Sequence, residues 1–145
     1  MHINLRPFIA RAPWLADDIA AEADVAVREG LDYAGVFDRL WRLVRAEVVQ
    51  RSIGFAPTEL ATVIRAKGSV RGGTRSLLTV GQRAKLERDL AIQVAHAAGL
   101  SQRLLASVHG LPRSVIGEIC LQDLRAKLAK MQRVALDGPR RSGDL

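Results

Sequence analysis

With 145 residues, 48% hydrophobic and only 4% aromatic, the chain has the length of one domain or two very small ones, and its core must be aliphatic. Abundant Ala and Leu against sparse Thr, Tyr and Phe favour helix over sheet, and no apolar run approaches the roughly 20 residues that span a bilayer. The net charge of +7 is uneven: residues 1–72 hold ten basic and nine acidic side chains, residues 73–145 twelve and six.

A positive surface of this kind releases condensed counterions from nucleic acid and supplies sequence-independent affinity. The single Cys120 excludes an internal disulfide and fits a reducing compartment. The first 14 residues lack the long apolar stretch of a signal peptide, so the expected setting is cytoplasmic, with no membrane partner.

In chain order, residues 1–13 read as irregular because Pro7 and Pro13 interrupt them. A helix is predicted over 14–29, with Asp17, Asp18 and Glu22 in its opening turns, Leu15, Ile19, Ala23 and Ala26 inward, and Gly30 as its stop. A stronger one follows from 32 or 33 to about 51. Its Val36, Phe37, Leu40, Trp41, Val44 and Val48 form one wide apolar face, with Arg39, Arg42 and Arg45 directed elsewhere.

Gly54, Pro57 and Thr58 open a third helix over 58–67, with Leu60, Val63 and Ile64 inward. The basic, glycine-rich segment 68–78 then reads as a linker, or as an arm whose Arg71 and Arg75 touch phosphate. Its glycines lack the spacing of a nucleotide-binding P-loop. A helix over 79–98 starts at Thr79 with Gln82 three residues on, the capping-box arrangement, and carries Leu86, Leu90, Val94 and Ala97 on one face. Its stop is Gly99.

The stretch 99–119, GLSQRLLASVHGLPRSVIGEI, carries the functional reading. It holds two short helix patterns separated by Gly110-Leu111-Pro112. Leu105 and Val108 face inward on the first, and Ala106 is small enough to let the second helix approach. Gly110 suits a positive φ, Leu111 plugs the turn, and Pro112 suits the first turn of the second helix. Ile116 and Ile119 face inward, which leaves Arg113, Ser114, Gly117 and Glu118 outward. From 116 to about 136 the pattern continues as one helix, with Leu121, Leu124, Leu128, Met131 and Ala135 in a coiled-coil-like stripe. The polar tail 137–145 reads as disordered.

Gly99-Leu100-Ser101-Gln102, with Leu105-Ala106, Gly110-Leu111, Arg113-Ser114, Ile116 and Ile119, resembles the helix-turn-helix of phage-repressor-type (Cro-like, XRE-type) transcriptional regulators. The likeness covers 86–119, with the preceding helix similar to that family's first. His109 stands where the family usually has an aliphatic residue. The resemblance implies that Gln102 contacts phosphate, that Arg113 and Ser114 reach base edges or backbone, and that Glu118 lies one turn further along the exposed face. Arg103, next to Gln102, joins the DNA-binding set.

His2, His96, His109 and Cys120 have no metal-ligand spacing, and nothing frames a nucleophile, so neither a catalytic site nor a cofactor is expected. The reading is therefore an all-α protein of five to seven helices with a helix-turn-helix near its C-terminus. It is divided into an N-terminal helical packing or oligomerisation region (1–67), a basic linker (68–78), a helix-turn-helix region (79–136) and a tail (137–145). The expected function is duplex-DNA binding as a homodimeric transcriptional regulator. The alternative is a helical adaptor that binds a protein partner through amphipathic faces. An RNA-binding role lacks a stacking platform, because residues 73–145 contain no aromatic side chain.

Overall fold

The computed structural model describes residues 3–57 and 78–144, with side chains described as far as Val134. The expected helix over 58–67, most of the glycine-rich segment, and Arg71 and Arg75 lie outside the described residues. Within them the fold is all-α, with seven helices: α1 (Arg6–Ile9), α2 (Ala16–Arg28), α3 (Tyr33–Ile53), α4 (Val80–Ala97), α5 (Gln102–His109), α6 (Arg113–Leu121) and α7 (Leu124–Asp144). No single helix among them is long and apolar enough to cross a membrane.

Local chemistry sets most of the ends. Asp32 accepts the Gly35 amide at 2.9 Å and starts α3. Thr79 and Gln82 exchange both hydrogen bonds of the capping box at the start of α4. Ser101 accepts the Leu104 amide at 3.1 Å and starts α5. Each such cap satisfies amides that the first helical turn leaves without a partner.

α4 lies at the centre, packed against α3, α5, α6 and α7, while α2 packs on α3. One continuous apolar, mostly aliphatic core joins the two ends of the chain: Phe8, Ile19, Leu40 and Val44 share it with Leu86, Ile92, Leu105 and Ile116. Burying each such side chain contributes about 1.5–3 kcal/mol.

Five elements differ from the sequence reading. The stretch expected to be irregular contains α1, because Pro7 sits in the first turn, where its missing N–H costs nothing, and Phe8 is drawn fully into the core. The helix expected from residue 14 starts as a 3-10 turn, Pro13–Leu15, before α2 proper. Ala97 faces solvent, and Ala98 is buried in its place. The backbone of α7 remains helical to Asp144, past position 137 where composition turns polar.

The largest difference lies between 121 and 124, where the single expected helix breaks. Gln122 is extended (φ −70°, ψ 141°), and the Asp123 carboxylate accepts the amides of Arg125 and Ala126 to start α7. A tertiary contact reinforces this local cap. The Gln93 side-chain amide on α4 donates to the Ile119 and Gln122 carbonyls at 2.9 and 2.7 Å, giving the end of α6 an acceptor-satisfying partner. Leu121 consequently points outward at 88% exposure, leaving Leu124, Leu128 and Met131 as the inward stripe of α7.

Candidate nucleic-acid interface

α5 and α6 are separated by Gly110-Leu111-Pro112 and bent by 111°. Gly110 adopts the left-handed conformation at φ 64°, and the amides of Gly110 and Leu111 both return to the Ala106 carbonyl. This double return closes α5 and drops Leu111 partly into the core. Leu105, Ile116 and Ile119 are buried as their spacing predicts, whereas Val108 is exposed. Pro112 occupies the position just before α6 and not its first turn, and it offers no side-chain cap. The Arg113 and Ser114 amides therefore open α6 without an acceptor among the described residues, at the positive end of the helix dipole.

Arg103, Arg113, Ser114 and Glu118 are exposed. Arg113, Ser114, Gly117 and Glu118 recur at three- and four-residue spacing and so share the outer face of α6. Gln102 is half-buried, because its side chain reaches across to that face. A Cβ built on Gly117 would meet Gln102 Oε1 at 3.5 Å. The geometry thus brings Gln102 together with the α6 set, and Arg103 leaves the same end of α5. No ion pair ties Arg103 or Arg113 to a described residue.

Because 3.5 Å is an ordinary contact, Gly117→Ala is expected to fit. It should raise stability by about 0.5–1 kcal/mol, since glycine inside a helix carries that conformational-entropy cost. Urea denaturation of the two proteins measures it, and a destabilised alanine variant would contradict the fit.

Three arginines of α3 are committed elsewhere. Arg39 binds Glu22 and Glu29, each at 2.8 Å, Arg42 pairs with Asp38 one turn away at 3.0 Å, and Arg45 makes a short ion pair with the buried Glu87. A phosphate-contacting role for them finds no support in that arrangement.

Beneath the α5–α6 pair lies a polar cluster that the apolar pattern did not reveal. Asp89 on α4 is fully buried. It accepts Arg88 Nε and Nη2 on one oxygen, at 3.1 and 2.8 Å, and Lys127 Nζ on the other at 3.1 Å. The available signal was Asp89 and Gln93 standing among Leu86, Leu90 and Val94 at helical spacing.

His109, at the end of α5, lies half-buried in the field of this cluster. Burial first and Arg88 second lower its pKa from the ordinary 6.5, with Asp89 opposing. The fold favours the neutral ring, so the unfolded chain binds the proton more readily. The stability His109 contributes is present above about pH 6.5 and is lost as pH falls through the lower folded value. Urea midpoints should fall on acidification in the wild type and fall less steeply in His109→Gln; equal slopes would remove His109 from the account.

Burial pushes the Cys120 thiol up, which keeps it protonated. Among the described residues, no three His, Cys, Asp or Glu side chains gather as a metal site. Comparison with protein-family models, curated proteins and solved structures finds no match.

Proposed function

We propose that this chain binds duplex DNA as a transcriptional regulator, with α5 and α6 acting as a helix-turn-helix and α6 entering the major groove. The supporting observation is the 111° pair of short helices whose outer face gathers Arg113, Ser114, Glu118 and Gln102 around an uncapped helix start. Two helices at about 90–120° joined by a three- or four-residue turn containing Gly are the geometry that DNA-reading pairs use. The sequence resemblance to phage-repressor-type regulators points the same way. The open α6 amides and Gln102 serve phosphate, and Arg113 serves a base edge.

A homodimer is part of the proposal, since such units read two half-sites. Leu121 and Val134, 88% and 61% exposed, offer apolar contacts for a second copy. The same two side chains favour the second reading, an adaptor that docks a protein partner. A cytoplasmic setting belongs with the first reading, because duplex DNA and a reduced Cys120 are both found there.

In vitro selection of bound duplexes, followed by a salt titration, tests the proposal. Arg103 from two copies neutralises about two phosphates, a contribution of about −1.8 to the slope of log K against log salt. An enriched duplex site with a steep slope supports the regulator. Absence of duplex binding at low salt overturns it in favour of the adaptor.

A further inference from the structure

Where the end of α1, the end of α3, α4 and the start of α7 meet, they leave an open cleft of about 410 Å³, within the size range of small-molecule sites. Three arginines line it, Arg11, Arg51 and Arg125. None of them is paired with a carboxylate among the described residues.

Each is held by a contact that leaves donors to spare. Arg11 Nη1 donates to the Pro7 carbonyl at 3.0 Å. The Arg51 guanidinium carbon lies 4.3 Å from the centre of the Trp14 ring, and its N–H groups make no hydrogen bond to a described residue. Arg125 uses Nε and Nη2 on the carbonyls of Ser52 and Arg51, at 3.2 and 2.8 Å, with Nη1 remaining. The carboxylate in the cleft, Asp123, already accepts two amides at the start of α7.

The cleft therefore carries three positive charges against one negative. Burial lowers the pKa of Arg11, the mark of a cation held without compensating charge. Guanidinium forks match tetrahedral oxyanions, to which they can donate two parallel hydrogen bonds.

We propose that this cleft binds a phosphate dianion, free or as a small phosphomonoester, between Arg11, Arg51 and Arg125. The ligand ties α1 and α3 to the start of α7, whose preceding break also holds the end of α6. Phosphate occupancy thus stiffens the joint between the N-terminal helices and the α5–α6 pair.

The test uses the full chain without DNA, so its outcome is independent of the duplex-binding proposal. Thermal unfolding and calorimetry are run with inorganic phosphate against potassium chloride at matched ionic strength. A saturable rise in Tm is expected with phosphate alone, with a change in tryptophan fluorescence as Arg51 shifts over Trp14. Phosphate also stabilises proteins generally by exclusion from their surface, an effect shared by all variants. The deciding readout is therefore the difference between wild type and Arg11→Gln, and between wild type and Arg51→Gln, an exposed position that keeps the test open should the first variant not fold. Each loss of a charged hydrogen-bond donor should weaken phosphate binding about tenfold or more. Equal responses to phosphate and chloride, or full phosphate binding by the folded variants, would overturn the site.

Discussion

Asp89→Ala should unfold at markedly lower urea concentration than the wild type, with a loss of about 3 kcal/mol. The carboxylate is fully buried and neutralises Arg88 from its own helix and Lys127 from α7. Removing it leaves two cations facing each other across a space from which water is largely excluded. Breaking a buried pair typically costs about 3–5 kcal/mol. The low end applies because Arg88 and Lys127 stay 33% and 26% exposed and can turn toward solvent. Asp89→Asn should retain part of the stability, since its carbonyl oxygen still accepts a hydrogen bond while the charge is gone. An alanine variant as stable as the wild type would mean that the cluster contributes only shape.

Arg113→Ala should bind the selected duplex about 1–3 kcal/mol more weakly per half-site and lose discrimination at one base position in each, as expected for a guanidinium that donates to guanine O6 and N7. Arg113 is exposed and has no ion-pair partner among the described residues, so the variant should keep the wild-type fold by circular dichroism. Arg103→Ala is the contrast. A guanidinium that touches only phosphate carries no sequence information, so its removal from both copies should weaken binding to all duplexes alike and reduce the magnitude of the salt slope by about two. Wild-type affinity and selectivity in Arg113→Ala would remove α6 as the reading helix.

What the sequence made legible is what neighbouring residues decide among themselves. The Thr79–Gln82 box, the Ser101 cap and the turn at Gly110 each close within five residues, so their chemistry is written locally. The buried faces of α3 and α6 followed from three- and four-residue spacing because aliphatic side chains have no other use at such positions. The break at Gln122 was read through although Asp123 offers a local cap to α7, because the other group that stabilises it, Gln93, lies 29 residues earlier and reads as one polar residue on an apolar face. Pro7 misleads for a related reason. Proline both breaks a helix interior and suits a helix start, and Phe8 entering a distant core decides between the two.

Of the candidate site, Gln102, Arg103, Arg113, Ser114 and Glu118 could be named from the resemblance and the outward register. That Gln102 crosses to Gly117 could not, because the angle between two helices is set by what packs beneath them.

The bond from Gln93 to the far end of α6 has a thermodynamic corollary for whatever that helix meets. A recognition element tethered only by its turn would have to be oriented at the moment of contact, and part of the contact energy would be consumed in restraining it. Here the α6 terminus is hydrogen-bonded to the central helix before any partner arrives, so the restraint is settled during folding. Loosening that tether would therefore weaken the proposed recognition without removing a single side chain from the surface proposed to perform it.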